Sequence, residues 1–420
     1  MSLGIRFLDT RPLRSSPAFR ALWTGTAASQ LGAQITLVAV LAQVWELTGS
    51  PVGTGAIGLA TGLPMILFGL LGGTLADTVD RRALVRATTA GQLLAAGALC
   101  LQALADNRNV YLLLTLVALA TTFAALGAPA RRTFPVRLLP ADQVAAGLAL
   151  NNVSFQVAML AGPATAGLII ARWGLAAAYA TQAAAIAVAV LAVLRLPPMR
   201  PEGVRATNGR RRAERGGWRI VLHRHTLWGS LATDLSATLL AMPVALFPLV
   251  NEVRFDGDPQ TLGLFLSAVA VGGITAGLLS GTVTRVRRGG LVQLTAAAVW
   301  GLALACFGLA GPLWLALACL AAAGAADTIS VVTRSALVQH ETPDAYRGRV
   351  SSVEHVIGVA GPELGNFRGG LVASATSASF SLVTGGLAAA AGIAAIAAAN
   401  SPLRTYRTPT PGPNTPTPAG

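Results

Sequence analysis

The stretch GGTLADTVDRRALV, residues 72–85, places two aspartates and two arginines between two long apolar segments. Residues 53–71 before it and residues 87–105 after it contain no charged side chain. An α-helix needs roughly 20 apolar residues to cross the hydrocarbon core of a bilayer. The stretch is therefore predicted to be a short polar loop between two membrane-spanning helices.

The composition of the whole chain agrees with this interpretation. Its 420 residues are 53% hydrophobic and only 11% charged, whereas soluble proteins carry about 25% charged residues. The net charge of +14 comes from arginines distributed over short segments, so we expect a lipid bilayer and not nucleic acid as the partner of this charge. The basic first residues have no cleavage pattern after a short apolar core, which indicates a cytoplasmic lead-in and not a signal peptide.

Twelve apolar runs predict an all-α membrane protein with two six-helix bundles. We expect a lead at 1–19, a first bundle at 20–194, a cytoplasmic linker at 195–225, a second bundle at 226–398 and a disordered Thr/Pro-rich tail at 399–420. The predicted spans lie near 20–45, 52–76, 84–105, 110–128, 144–170, 173–194, 226–251, 260–284, 290–310, 312–333, 350–373 and 377–398.

The arginines predict the orientation of these spans. With the N-terminus inside, 27 of the 31 arginines fall in cytoplasmic segments, and only Arg108, Arg172 and Arg254 fall in outer loops. Loops rich in arginine stay on the cytoplasmic side of the membrane. Both termini are therefore predicted to be cytoplasmic.

The two halves repeat short sequence elements at a nearly constant distance. LW at 22–23 recurs at 227–228, and DTVDR at 77–81 has its counterpart in GTVTR at 281–285, about 205 residues later in each case. Parallel repeats of this kind are typical of transporters that bind substrate between their halves near the middle of the membrane.

The loop at 72–85 resembles the loop between spans 2 and 3 of the major facilitator superfamily, G-x-L-A-D-x-x-G-R-R/K. In that superfamily the loop latches the two halves together on the cytoplasmic side when the protein is open to the outside. The alternative is an anchor that only fixes the orientation. Asp80 replaces the second glycine of the pattern. The resemblance implies gating residues Gly73, Asp77, Arg81 and Arg82.

The fifth span contains AMLAGPATAG, residues 158–167, which resembles the antiporter motif of the same superfamily. Alanines stand at two of its glycine positions. The resemblance implies export in exchange for protons and assigns Gly162, Pro163 and Gly167 to the motif. The alternative is a small-residue face for ordinary helix packing.

Several further stretches resemble one branch of the superfamily, the enterobactin-exporter-like and macrolide-efflux-like transporters. They include WELTGSPVG at 45–53, LNNVSFQVAMLAGPATAG at 150–167 and ELGNFRGG at 363–370. This resemblance implies proton-coupled export of a small molecule, such as a siderophore or an antibiotic, by alternating access. The alternatives are an uptake permease with the same fold and a non-transporting membrane sensor.

The sequence shows no catalytic set and no phosphate-binding P-loop, so we expect neither an enzyme nor an ATP-driven pump. No cofactor and no metal are expected, and the proton gradient would supply the energy. A monomer is expected.

Charged residues inside predicted spans are candidates for a role in transport, because they are costly in a bilayer. Asp234, Glu363 and Asp327 are candidates for proton coupling, and Arg368 is a candidate for an interhelical ion pair or for contact with an anionic substrate. The alternative for these carboxylates is a static ion pair that joins spans 7, 10 and 11. Asp327 lies seven residues before Arg334, which favours a structural role for Asp327.

Four amide side chains form a second group of candidates. Gln30 and Gln34 are one turn apart on span 1, and Asn152 and Gln156 are one turn apart on span 5. Members of the superfamily line a central cavity with these spans, so the amides are candidates for substrate binding. The alternative is hydrogen bonding between helices.

Overall fold

The computed structural model describes residues 9–196, 220–279, 287–343 and 346–407, with the side chains at 70, 77, 347–349 and 352 left out. Within these ranges the chain is almost entirely helical, and no strand occurs. The expected linker and tail lie largely outside the described residues, as do the last five residues of predicted span 8 and the first two of the loop that follows it (280–286).

The first half contains six long helices. They are α1 (Pro17–Thr48), α2 (Pro51–Thr78), α3 (Arg81–Leu104), α4 (Val110–Arg132) and a continuous stretch, Val144–Leu194, that comprises α5 and α6. Gly174 divides this stretch into α5 (144–173) and α6 (175–194), because its φ of +77° and ψ of 179° are not helical. Glycine adopts this conformation easily because it has no Cβ. Shorter elements are Arg11–Ser15, Phe134–Leu138 and the turn Ala141–Gln143.

The second half also contains six long helical elements. They are α7 (His225–Phe255), α8 (Pro259–Leu278), α9 (Gly289–Leu309), α10 (Leu313–Glu341), α11 (Arg347–Ala375) and α12 (Ala378–Ala399), followed by the short helix Ser401–Thr405. Helix α7 is broken: Ala241 ends its first part, and the chain resumes as the turn Val244–Leu246 and the helix Phe247–Phe255. Pro243 lies in the break, and proline cannot donate a backbone hydrogen bond.

Each predicted span corresponds to one of these twelve helices. By length and composition, ten helical stretches in the described residues can cross a membrane; α5 and α6 count there as one stretch, and α11 is not included. Helix α11 has 29 residues and is long enough to cross, but it is more polar than the others. Twelve crossings and cytoplasmic termini stay predictions.

Two boundaries differ from expectation. Helix α10 continues eight residues past the predicted end at 333, because Arg334 is buried and paired with acidic side chains instead of ending the helix.

The disordered tail does not begin at 399. Asn400 caps the helix Ser401–Thr405 and donates to the His225 carbonyl (2.6 Å), and Leu403 is fully buried. Residues 408–420 lie outside the described part.

The helix ends form two sets. We call one set the arginine-rich end; it holds the ends of α2, α4, α6, α8 and α10 and the starts of α3, α5, α7, α9 and α11. The other set, the opposite end, holds Gly49, Asp106, Gly174 and Asp256. The halves meet along two helix pairs, α2 with α11 and α5 with α8. All other extensive packing is within a half, including edge-to-face contacts of Phe247, Phe265 and Phe307 at 5.5–5.8 Å.

Glycines allow α5 and α8 to approach closely near the opposite end. A Cβ on Gly263 would strike the Pro163 carbonyl oxygen, and one on Gly167 would lie 2.6 Å from the Pro259 oxygen. Closer to the middle of the pair, the Ser267 hydroxyl donates to the Leu160 carbonyl (2.8 Å). The α5–α8 interface therefore depends on backbone-to-backbone contact.

Gly263 provides a test of this close contact. We expect Gly263→Ala to lower the free energy of unfolding by about 1–3 kcal/mol, because the new methyl group overpacks the interface. Gly277→Ala on the same helix is the control. It faces open space and should be neutral or stabilising by up to about 1 kcal/mol. Thermal unfolding of the purified protein in detergent measures both, and equal effects would contradict the interface.

Candidate functional site

A cleft separates the two halves at the arginine-rich end. It forms a cavity of about 420 Å³ between α2, α4 and α11, mainly apolar, with polar groups from Arg132, Ser351 and His355. A Cβ on Gly69 of α2 or on Gly358 of α11 would meet open space. The two helices of this pair therefore diverge toward the arginine-rich end.

Helices α2 and α11 come into contact at Glu363, near the middle of α11. A Cβ added to Gly58 would lie 2.6 Å from the Glu363 carbonyl oxygen, and one added to Gly62 would lie 2.8 Å from its Cβ. The carboxylate lies beside Thr61 of α2 and Asn366 of its own helix. Among the described residues, Glu363 has no cation within 4 Å. The Glu363 carboxyl group, which has no cationic partner in the described residues, thus lies where α2 and α11 come into contact below the cleft.

Asp234, Arg334 and Glu354 form a buried ion cluster that joins three helices of the second half. Arg334 Nη1 of α10 pairs with Asp234 Oδ1 of α7, and its Nε lies 3.4 Å from Glu354 Oε1 of α11. Asp234 and Arg334 are each less than a tenth exposed. The Ser335 hydroxyl donates to Glu354 as well (3.3 Å). Asp234 Oδ2 is buried without a hydrogen-bond partner in the described residues, so the pair leaves it free to accept a proton.

Asp327 lies on α10 near the same cluster but makes no ion pair within 4 Å in the described part of the chain. Arg334 lies close enough to Asp327 to interact with it electrostatically, as their shared helix face predicted, but its ion pairs are with Asp234 and Glu354. The structural role of Asp327 stays a prediction.

Arg368 does not face Glu363, although both lie on α11. Its Nη1 donates to the Leu240 carbonyl of α7, just before the break in that helix. Asn366 accepts from the Ala245 amide just after the break (3.1 Å). Both side chains therefore satisfy backbone groups that the interrupted helix leaves without partners.

The four amide candidates lie in different environments. The Gln30 carbonyl oxygen accepts from Ser154 of α5 (3.1 Å), and Gln34 packs against Gly162. Asn152 is exposed and Gln156 is half-buried. Gln30 also lines a cavity within the first half, described below, so the structure brings this one amide to a cavity wall.

The sequence 158–167 provides contacts on both sides of α5. Gly162 faces α1 at Gln34, and Gly167 faces α8 at Pro259, with Pro163 between them against Gly263. The motif therefore holds α5 close to one helix of its own half and to one helix of the other half.

The loop at 72–85 binds only its own half in the described residues. Arg81 Nε donates to the Ala76 carbonyl at the end of α2 (3.1 Å). Arg82 and Arg86 donate to the carbonyls at the end of α6 (3.4 Å and shorter). Asp80, which replaces a glycine of the superfamily pattern, caps α3 by accepting from the Arg82 and Ala83 amides at 2.8 and 3.2 Å.

Of the remaining gating residues, Gly73 lies on α2, and the side chain of Asp77 is outside the described residues. The gating assignment stays a prediction, because the described contacts concern one half alone.

A cavity of about 270 Å³ in the first half contains a residue that sequence reasoning did not select. Arg131, in the last turn of α4, lines this cavity, and its Nε and Nη2 are buried with no hydrogen-bond partner in the described residues. From sequence alone it resembled an arginine that sets orientation. The sequence contained one indication of this inward direction. Gly127, one turn before Arg131 in a stretch of small residues, has no side chain and so leaves room for the guanidinium.

Two helical halves that meet along two helix pairs have the major facilitator fold of membrane transporters. Residues 9–416 match the transmembrane secretion effector family, and the chain belongs to this family. It is a multi-pass protein of the bacterial inner membrane.

Curated relatives and solved structures agree with this classification. The chain is 28% identical over 391 residues to the enterobactin exporter EntS of Shigella flexneri, covering 90% of this chain and 92% of the relative. It is 27% identical over 395 residues to the enterobactin exporter EntS of Citrobacter koseri, with the same coverage. Its fold matches the nucleoside transporter NupG (TM-score 0.73, 14% identity, 93% and 99% covered) and a D-xylose-proton symporter (TM-score 0.70, 14% identity, 90% and 96% covered).

The ion cluster gives a stability prediction. We expect Arg334→Met to lower the free energy of unfolding by about 3–5 kcal/mol, because it leaves buried carboxylates without their cation. Adding Asp234→Asn should recover part of this loss, since one of the uncompensated charges is removed. Thermal unfolding of the two single variants and the double variant measures the coupling. Strictly additive losses would show that Asp234 and Arg334 do not act as a pair.

Proposed function

We propose that this chain exports a small metal-chelating molecule of the siderophore class from the cytoplasm, in exchange for protons. The single observation that carries the proposal is the cleft between the halves, which is open at the arginine-rich end and ends where Glu363 contacts α2. With the predicted orientation, this end faces the cytoplasm, and the cleft would load substrate from there.

The choice of substrate class rests on the relatives. They are named enterobactin exporters, and the chain aligns with them over nine-tenths of its length. The mainly apolar cleft, with a few polar groups on its wall, is suited to an aromatic or partly apolar molecule. Export rather than uptake is the direction that these names favour.

We assign the proton step to carboxyl groups at contacts that would change during transport. These are the contact between the halves and the contacts among helices of the second half. Glu363 lies between α2 and α11, so rocking of the halves would uncover it on the other side of the membrane. Asp234 would exchange its arginine partner for a proton when α7, α10 and α11 shift. Asp327 lies close to this cluster and is a third candidate. A static ion pair at Asp234 is the alternative for that residue.

The loop at 72–85 would close the cytoplasmic side in the other half of the cycle. When the cleft shuts, Asp77 and Arg81 would approach the second half, while Gly162, Pro163 and Gly167 keep α5 close to its neighbours. An Asp77→Asn variant that inserts correctly and transports normally would exclude the gating role of that residue.

A deletion strain tests the transported class. We expect a metal-chelating compound to accumulate in the cell pellet and to disappear from the medium under iron starvation, because its export route is lost. Untargeted mass spectrometry of pellet and medium, with and without iron, measures this and identifies the compound. Complementation with the intact chain should restore secretion. Unchanged media together with reduced uptake of a labelled nutrient would instead indicate a permease.

Proteoliposomes test the proton coupling. With the compound identified above, we expect Glu363→Gln to lower pH-gradient-driven transport at least about tenfold while substrate exchange without a gradient persists, because only the proton step needs the carboxyl group. Asp234→Asn should behave in the same way if Asp234 carries a proton, and should leave driven transport unchanged if the ion pair is static.

The matched control for these variants is Asp106→Asn. Asp106 is exposed in a loop at the opposite end with φ of +47°, a conformation that asparagine also adopts. Equal loss of driven transport in the control would show that the effect is not specific to carboxyl groups within the bundle.

A further inference from the structure

We propose that Arg131 binds an ionised acidic group, a carboxylate or a phosphate, in the cavity of the first half at the arginine-rich end. We further infer that this group belongs to the transported molecule. The second statement rests on the proposed export function, whereas the first does not.

The Arg131 side chain turns into the bundle instead of toward water. A Cβ on Gly127, one turn earlier on α4, would lie 2.7 Å from Arg131 Nη2, so the guanidinium occupies the space above this glycine. Its Nε and Nη2 atoms are buried, and no described residue accepts a hydrogen bond from them. The same added Cβ would lie 2.5 Å from the Thr88 hydroxyl, so a side chain at position 127 would force Thr88 and the guanidinium to shift.

A buried guanidinium needs an anion or other hydrogen-bond acceptors as partners, and the Nε and Nη2 atoms of Arg131 have no acceptor in the described residues. Arginine stays protonated in proteins, so it cannot lose its charge on burial as lysine or histidine can. Within the described residues no carboxylate lies within 4 Å of Arg131 or of its neighbour Arg132. The free donors of a planar guanidinium fit the two oxygens of a carboxylate or phosphate.

The neighbouring polar groups are also suited to an anion. The Gln30 carbonyl oxygen accepts from the Ser154 hydroxyl, and the amide N–H groups of Gln30 can donate to a ligand. Gln30 and Ser29 line the same cavity as Arg131. The guanidinium, the Gln30 amide and the hydroxyls of Thr26 and Ser29 can all donate hydrogen bonds to an anion bound in this cavity.

The cavity and the cleft are adjacent. Ala128 and Arg132 line both the 270 Å³ cavity and the 420 Å³ cleft. A cavity of roughly 150 Å³ holds a benzene ring, so a benzoate-sized group fits beside Arg131. Ser29 and Ala124 are in turn shared with a further cavity of about 250 Å³ that extends to Thr61, the neighbour of Glu363. The anion site is thus separated from Thr61, the neighbour of Glu363, by one further cavity with which it shares wall residues.

Binding is tested with benzoate and its neutral isostere benzamide on the full-length protein, purified and reconstituted in phosphatidylcholine. Thermal unfolding followed by tryptophan fluorescence at constant ionic strength gives the half-saturating concentration. We expect benzoate, and not benzamide, to raise the unfolding temperature. Arg131→Gln should raise the half-saturating benzoate concentration at least about tenfold, and Arg131→Lys should give an intermediate value because lysine cannot bind two oxygens in parallel.

Arg14→Gln is the control, because Arg14 is exposed at the same end and lines none of these cavities. It should leave benzoate binding unchanged. Without benzoate, Arg131→Gln should unfold at the same temperature as the parent or higher, since it removes a buried charge that has no partner. A benzoate response that is the same in Arg131→Gln and the parent would overturn the site.

A second arm distinguishes the source of the anion. Vesicles of phosphatidylglycerol replace phosphatidylcholine, with no soluble acid present. If the protein responds to phosphatidylglycerol through Arg131 and does not respond to benzoate, the anion is a lipid headgroup, and the assignment to the transported molecule is overturned. If benzoate competes with the exported compound in an Arg131-dependent manner, the assignment is supported.

The two proposals can fail separately. A deletion strain that secretes every metal chelator normally would contradict the proposed export function, while Arg131-dependent benzoate binding would still support the anion site. Loss of secretion in the deletion strain together with full export by Arg131→Gln would leave the proposed function intact and would overturn the role of Arg131 in substrate binding.

Discussion

The hydrocarbon core of a bilayer offers no hydrogen-bond partner, so every backbone N–H and C=O group at that depth must be satisfied by the protein. The second half departs from a continuous helix at Ala241–Val244, and neighbouring helices supply the missing partners. Arg368 and Asn366 bind the groups on either side of the break, and Thr54 of the first half donates to the Ala245 carbonyl (2.7 Å). A helix with a bend is thereby held in place without exposed backbone.

The contact between the halves is built from small residues and not from large apolar side chains. Apolar side chains gain little from packing against each other in lipid, because lipid tails are equally apolar. Gly58, Gly62, Gly167 and Gly263 instead bring backbones together, and polar residues lie at these contacts, Glu363 on one pair and Ser267 on the other. Such an interface can separate without exposing a large apolar core, as alternation between two states requires.

Much of the fold could be predicted from the sequence, because apolar runs of about twenty residues have one solution in a membrane. The break in α7 also had a local signal, the prolines at 243 and 248. The partners of charged residues had none. The helical repeat places Asp327 and Arg334 on one face, but it does not show which helix that face meets, and Arg334 pairs with Asp234, a hundred residues earlier.

The candidate site was predictable only in part for the same reason. Glu363 was selected because it is charged within an apolar span, and it does lie at the contact between the halves. Arg131 was not selected, because an arginine near the end of a span is typical of the orientation signal. Only the three-dimensional packing above Gly127 distinguishes an arginine directed inward from one directed to water.

The hydrogen bond from Thr54 to Ala245 bears on which arrangement of the two halves is more populated. It is one neutral bond across the two halves, and a bond of this kind contributes only about 1 kcal/mol net when water can replace it. Once the opposite end admits water, the freed carbonyl is hydrated and little is lost. In the proposed transport cycle, the relative population of the two arrangements would therefore depend on what occupies the cleft and on which carboxyl groups hold protons, more than on this one hydrogen bond.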